Sequence, residues 1–362
     1  MTLRQLTPLA AALALAVPRV ARADLEFAMY GDSDASAKTD GTRAGTADTF
    51  SAAHLDFFST ANVKKWTFLA ETMFEADAVS NTYSVDVERV EVGYLVDEKL
   101  RVFAGRFHTA IGYYNDAFHH GLFFMVPIAR PVMVEFEDGG GLIPAHNVGL
   151  HADGRFSIGD DHLRYDVEVA NGRAADPTVI LNKQDTNRAK AFNLRLRYEP
   201  SGLLDGLIIG GNVYFDSIPA NTMAASSETG FPFHFGPLHE LIVGGHAAYF
   251  EHQIHFVSEA LMIQHTETDT GAVHRTFCAF GEAGYQIDSL TPYVRYEYTR
   301  FPTEGDPYFL KTAADGFQRP SIGMKHFTTD NIALKLEAAA LFSRRSGTDP
   351  SYSLTGQLAW AF

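Results

Sequence analysis

Apolar and polar residues alternate one for one along most of this chain, in segments of roughly ten residues. The last segment is the plainest. Tyr352, Leu354, Leu358, Trp360 and Phe362 fall on one face, and Ser351, Ser353, Thr355, Gln357 and Ala359 on the other. The same alternation sets Phe192, Leu194, Leu196 and Tyr198 against Asn193, Arg195 and Arg197, and Leu163, Tyr165, Val167 and Val169 against Arg164, Asp166 and Glu168. It recurs at Val294, Tyr296 and Tyr298 against Arg295 and Glu297, and at Ile332, Leu334, Leu336 and Phe342 against Lys335 and Glu337. A strand with this pattern presents one face suited to lipid and one suited to water.

A soluble sandwich alternates too, so the number and order of the segments must decide. The pattern predicts strands near 24–33, 50–60, 64–77, 82–96, 99–109, 146–157, 161–172, 187–199, 205–217, 240–251, 253–266, 273–287, 291–302, 316–328, 331–344 and 350–362. Sixteen is an even number, as a closed barrel with both termini on one side requires. Short links such as 97–99, 159–161 and 329–331 alternate with longer polar ones such as 34–49, 173–186, 218–239 and 303–315. Closure is what a membrane demands, because hydrocarbon leaves no partner for the bare edges of an open sheet. The phase falters at Val87 to Val90, around Arg106 and within 253–266, which predicts bulges or displaced strand ends there.

Composition narrows the picture. A polar start with Arg4, an apolar run from Leu6 to Val17 and the small residues Ala21 and Ala23 read as a signal peptide over residues 1–23, with the barrel occupying 24–362. No later apolar run approaches the roughly 18 residues of a spanning helix. The net charge of −15 argues against a nucleic-acid partner, since phosphate binding requires clustered Lys and Arg. Cys278 is the single cysteine. Without an intramolecular disulfide, stability must come from backbone pairing.

The terminal strand, closing on Trp360 and Phe362, resembles the C-terminal assembly signal of Gram-negative outer-membrane barrels. The longest connection, about 110–145, follows the fifth strand, and here the chain resembles the 16-stranded porins, whose third external loop folds into the pore. Gly105-Arg106-Phe107 running into Ile111-Gly112-Tyr113-Tyr114 is similar to the strand exit before that loop, and Glu135-Phe136-Glu137-Asp138-Gly139-Gly140 to its acidic tip. The resemblance implies an all-β, closed antiparallel transmembrane barrel with that loop turned inward. It further implies a place in the Gram-negative outer membrane, passive diffusion of small solutes or ions, dealings with outer-membrane lipid and the barrel assembly machinery, and a homotrimer. Small outward residues such as Ala338 and Ala340 are compatible with subunit packing and equally with lipid.

With the loop inside, Asp116, Glu135, Glu137 and Asp138 are expected near the pore waist, opposite Arg106, Arg164, Arg195, Arg197 and Arg295, an arrangement that orients dipolar solutes and biases ion choice. The plainer alternative is that these arginines pair with Asp166, Glu168 and Glu297 as solvated ion pairs. Apolar side chains including Phe118, Leu122, Phe123, Phe124, Met125, Val126, Ile128, Val132, Met133, Val134 and Phe136 make 110–145 too greasy for a solvated loop. His108, His119, His120, His146 and His151 fall in or beside it. Imidazole is a common metal ligand, but no Cys pair or His-x3-His spacing accompanies them, and adjacent His119 and His120 do not easily ligate together. Pore lining and pH sensitivity are the expectation, with no metal and no cofactor. No Gly-x-Ser-x-Gly, His-Glu-x-x-His or Walker motif appears, so a channel is expected rather than a barrel hydrolase. A barrel that sheathes or anchors a partner is the second alternative.

Overall fold

The computed structural model describes residues 24–39, 46–77, 82–119, 122–137, 139–177, 179, 187–221 and 235–362. The leader assigned to residues 1–23, together with His120 and Asp138, lies outside the described residues. Sixteen strands run in chain order: β1 (Asp24–Thr39), β2 (Thr46–Val63), β3 (Trp66–Asp77), β4 (Thr82–Asp97), β5 (Leu100–His108), β6 (His146–Ile158), β7 (Asp161–Ala170) and β8 (Ala191–Glu199). The second half comprises β9 (Leu207–Ile218), β10 (Leu238–Tyr249), β11 (Ile254–Glu267), β12 (Val273–Tyr285), β13 (Leu290–Arg300), β14 (Phe317–Thr329), β15 (Ile332–Ser343) and β16 (Ser351–Ala361). One four-residue helix, α1 (Tyr114–Ala117), interrupts the β5–β6 connection. Each strand pairs antiparallel with its chain neighbours, and β1 pairs with β16 to close the ring. All sixteen strands stand where the alternation placed them. The main difference is that β1 and β2 extend into 34–49, which alternation had left as a loop, with Thr39 opposite Thr46.

The outer wall is apolar for the reason the period gives. Phe192, Leu194, Leu196 and Tyr198 on β8, Val294 and Tyr296 on β13, and Leu334 and Leu336 on β15 are exposed, while Asn193, Arg195, Arg295, Glu297, Lys335 and Glu337 between them are buried. A hydrocarbon environment makes that pattern favourable, since it leaves the apolar faces in lipid and the polar faces on the lumen side.

The three faltering stretches have three different physical causes. Opposite β3, Arg89 pairs with Glu71 and Val87 with Thr72, so Glu88 is an extra residue in β4. That bulge turns Glu88 and Arg89 together off the outward face, where Val87 and Val90 lie exposed. Near Arg106, Gly105 has φ +144, and a Cβ there would lie 2.0 Å from the Val90 carbonyl. Along β11 the ladder is unbroken, but the inward residues Val257, Leu261 and Ile263 are themselves apolar and fully buried. Alternation weakens there because these inward apolar residues pack against the β5–β6 connection.

Closure depends on the β1–β16 seam, where Gly31 faces Trp360 in the register. A Cβ on Gly31 would sit 2.6 Å from Trp360 Cζ2 and 2.7 Å from the His54 carbonyl. Met29 and Phe362 exchange two backbone hydrogen bonds of 2.7 and 2.8 Å at the end of the seam. Overpacking costs about 1–3 kcal/mol, so Gly31→Val should lower the fraction of protein that migrates as the compact, heat-modifiable band. An unchanged fraction would show that the seam tolerates the added volume.

Candidate functional site at the barrel waist

The connection between β5 and β6, residues 109–145, is held against side chains that the strands direct inward. Gly112 makes the turn. Its φ is +72, and a Cβ would approach Glu259 Oε2 to 2.1 Å, so only glycine fits without displacement. The Gly112 N–H donates to Asn212 Oδ1 on β9 at 3.1 Å, and its carbonyl accepts from Arg195 Nη1 on β8 at 2.9 Å. The next two amides, Tyr113 and Tyr114, both donate to Glu259 Oε1 on β11, at 2.9 and 2.5 Å. Further along, Ile128 donates to Glu337 on β15 at 3.2 Å and Val132 to Glu297 on β13 at 2.7 Å. Arg295 donates to the Ala129 carbonyl at 2.6 Å, and the Lys335 ammonium to the carbonyls of Leu122 and, at 3.1 Å, Pro127.

These bonds surround a second hydrophobic core inside the barrel. Ile111, Tyr114, Met125, Met133, Val134, Leu142 and Ile143 of the connection pack against Tyr214, Ile242, Val257, Leu261, Ile263, Cys278 and Phe280 of β9 to β12. Each large side chain so buried contributes about 1.5–3 kcal/mol, against at most about 1 kcal/mol for an exposed ion pair. The buried hydrogen bonds to charged wall groups are each of similar size, about 1.5–3 kcal/mol, so apolar burial and these bonds together hold the connection inside. Phe123 is placed apart, with Ala333, Ala359 and Ala361 near the β15–β16 end. Phe124 stays half exposed against the edge of Tyr30.

Arg130, which sequence reasoning did not single out, ties the connection to itself. It is buried, and its guanidinium donates to Val134 O at 3.0 and 2.6 Å, Phe118 O at 3.2 Å, Asn115 Oδ1 at 3.3 Å and the His119 carbonyl, while lying 4.7 Å over the Phe136 ring. Burial pushes this guanidinium below its usual value, against the opposing pull of Glu135. The return leg is fixed by Arg173, which donates to the Leu142 carbonyl at 2.6 Å and to both oxygens of Glu240 at 3.0 Å. Glu240 in turn faces His265, whose Nδ1 meets Asp306 at 2.8 Å.

The charges expected at the waist are distributed among several environments. Asp116 lies deep in the barrel with its side chain 39% exposed to the lumen, 2.7 Å from Arg195 and 4.0 Å from Arg197. Arg195 also holds Asp166 at 2.8 Å. Glu135 borders the open lumen, whereas Glu137 is buried and accepts the Ala145 N–H at 3.0 Å. Arg295 is buried between Glu282, at 2.9 Å, and the connection. Arg106 donates to the Glu88 carbonyl at 2.8 Å, and Arg164 pairs with Glu199 at 2.6 Å toward the short-turn end of the barrel. The structure thus brings Asp116, Arg195 and Arg197 together and leaves Arg164 and Arg295 apart from them.

Between the docked connection and the opposite wall remains a cavity of about 380 Å³, lined among others by Asp32, Asp34 and Lys38 on β1, Asp56 on β2, Arg319 on β14 and Glu135 and Arg130 of the connection. The aspartates of β1 and β2 carried no distinguishing sequence signal, because most inward positions of a barrel are polar. Beside this cavity three histidines converge. The candidate ligand nitrogens of His108, His119 and His146 lie within 4.8 Å of one another. His119 Nε2 is 2.8 Å from His146 Nε2, which is 2.6 Å from Glu88 Oε2, and His108 Nε2 is 3.6 Å from Glu71. The expectation of no metal rested on missing spaced motifs. The fold brings three histidines together from two strand ends and a loop.

By fold, the chain is a closed sixteen-stranded barrel of the outer-membrane porin type. No protein-family model matches it, and no curated protein matches it in sequence. Solved structures do share its fold. It is similar to an anion-selective porin of Comamonas acidovorans, at 9% identity and a TM-score of 0.64, covering 94% of this chain and 100% of that one. The outer-membrane channel DcaP of Acinetobacter baumannii aligns at 11% identity and 0.61, covering 94% and 97%. A trimer form of OmpT, an outer-membrane protein of Vibrio cholerae, aligns at 10% and 0.59, covering 93% and 99%.

Burial works to raise the Asp116 carboxyl, but Arg195 and then Arg197 outweigh it and hold the group at about 2. The folded value lies below the ordinary one of 3.8, so the stabilisation is fully present above that ordinary value and is lost only as the pH falls through about 2. A 13C titration of the Asp116 carboxyl in the detergent-folded protein should show that low midpoint, and Arg195→Gln should raise it. A midpoint near 3.8 in the parent would show that the clasp to β8 is absent.

Proposed function

We propose that this chain is a water-filled porin of the Gram-negative outer membrane that passes small hydrophilic solutes or ions by diffusion. The observation that carries this reading is the asymmetric lumen. The β5–β6 connection packs its core against β8 to β12, and a charged cavity is left beside β1, β2 and β14 to β16. A connection docked to one side narrows a passage without filling it. Charged residues along such a passage bias which ions cross.

Around the cavity the carboxylates Asp32, Asp34, Asp56, Glu135 and Glu337 outnumber the cationic Lys38, Arg130 and Arg319. On this reading the pore favours cations. The arginines of β8 and Asp116 set the far side of the field, and Glu137 and Arg295 act by holding the connection in place. Single-channel recording should show steady conductance from the purified protein, and the combined change Asp32→Asn, Asp34→Asn and Glu135→Gln should move the reversal potential in a salt gradient toward anions. Absence of conductance would favour a barrel that sheathes or anchors a partner. Conductance with unchanged selectivity would place the passage elsewhere.

The same reading includes a homotrimer. Its physical handle is a shallow apolar groove of about 660 Å³ on the outer wall, where Ala283, Gly284, Gly323 and Ala338 leave room beside Tyr285, Val294 and Ile322. Small residues allow close approach of a flat neighbouring surface. Native mass measurement in several detergents should give three chains per particle, and Ala338→Trp should shift the population toward monomer. A monomeric parent protein in every detergent would reject the assembly.

A further inference from the structure

We propose that His108, His119, His146 and Glu88 form a binding site for one divalent transition cation of the borderline class, with Zn2+ as its reference member. Three imidazoles and a carboxylate are a donor set suited to zinc. They come from the end of β5, the loop, the start of β6 and the β4 bulge. His108 and His146 are directly opposite in the β5–β6 register. They are therefore the two feet of the long connection, and His119 is its first buried imidazole beyond α1.

The hydrogen bonds around His119 favour one tautomer. The Asn115 amide nitrogen donates to the carbonyls of Thr109 at 3.0 Å and Ala145 at 3.1 Å, which leaves Asn115 Oδ1 as an acceptor. His119 Nδ1 lies 3.1 Å from the Asn115 carbonyl and 3.2 Å from Asn115 Oδ1, both acceptors. A proton on Nδ1 serves them, and a neutral His119 in that tautomer presents its lone pair at Nε2. That lone pair points at His146 Nε2, 2.8 Å away, which also faces Glu88 Oε2 at 2.6 Å. A single proton on His146 Nε2 is shared between these two neighbours, and a cation among the three would contact all of them. Outward hydrogen bonding of the second ring nitrogen to a carbonyl is the usual support for a metal-bound histidine.

Ligand atoms bonded to zinc at about 2.0–2.2 Å in a tetrahedron lie about 3.3 Å apart. The ring nitrogens of the three histidines lie within 4.8 Å of one another, Glu88 Oε2 joins them through His146 Nε2 at 2.6 Å, and a shared cation would require the His108 ring to turn from its stack on His119. The bulge supplies Glu88 by turning it away from the exposed face of β4, and bulges recur beside functional sites for this purpose. His119 borders the 380 Å³ cavity, which gives a hydrated cation a route in from the lumen. A bound cation would staple the start of the connection to both of its feet.

The test uses the full chain without a polyhistidine tag, folded in detergent, stripped with a chelator, loaded with ZnCl2 and desalted. One zinc per chain is expected by elemental analysis, with an intense visible spectrum typical of tetrahedral coordination when Co2+ replaces it. His146→Ala and Glu88→Gln should lose that stoichiometric zinc, and the exposed His326→Ala should retain it. Asn115→Ala removes the side chain that orients His119, along with its bonds to Thr109, Ala145 and Arg130, and should weaken binding on the order of 10–100-fold. The heat-modifiable gel shift reports whether each barrel is intact. A parent protein that keeps no zinc overturns the proposal, as does an intact His146→Ala barrel that keeps a full equivalent. If the ligand variants fail to fold, an octahedral Co2+ spectrum in the parent or unaltered affinity in Asn115→Ala does the same.

Discussion

Everything in this protein follows from the requirement that each strand edge be hydrogen-bonded to another. In hydrocarbon an unpaired backbone amide costs several kcal/mol, and sixteen antiparallel strands meet that requirement by joining β1 to β16. Once the ring is closed, its outward face belongs to lipid and its inward face to whatever fills the lumen. The small residue at Gly31, under the Trp360 ring, is a local condition of that closure. Strand length, tilt and register are then shared around the ring rather than chosen strand by strand.

The lumen of a barrel this wide would be water from wall to wall without the β5–β6 connection. The connection enters because its apolar residues have nowhere else to be buried, and β9 to β12 meet it with apolar residues on a face that is otherwise polar. Buried charge completes the attachment. Arg195, Arg295, Lys335, Glu259, Glu297 and Glu337 are wall residues, yet each hydrogen-bonds backbone of the connection. A buried charge left without a partner would cost more than the attachment contributes. The loop backbone, which lacks the partners that a helix or sheet would provide, satisfies these charges as they satisfy it. Wall and loop are polar complements for this reason.

The sequence by itself determined the barrel. A period of two, repeated through sixteen segments with short and long connections in turn, leaves few alternatives to closure, because side-chain direction in a strand is a local property of the backbone. It also determined that 110–145 needed burial, since hydrophobicity is a property of composition. Even the faltering phases at Val87 to Val90 and in 253–266 were visible, although their causes were not. A bulge and a run of inward apolar residues look alike in one dimension.

Only the tertiary structure decided which charges meet. Arg164 and Arg195 both occupy inward positions of their strands, but the path of the connection brings Asp116 to Arg195 and leaves Arg164 with Glu199. Arg130 was unremarkable in sequence because its acceptors are mostly backbone carbonyls, which have no residue signature. His108, His119 and His146 stood out in the sequence, but their convergence beside Glu88 did not, for a related reason. Spaced ligand motifs arise when one helix or turn supplies several ligands, whereas these four side chains come from four separate backbone segments. Their convergence depends on barrel register and the depth of the loop, and neither quantity is encoded in any local stretch of the chain.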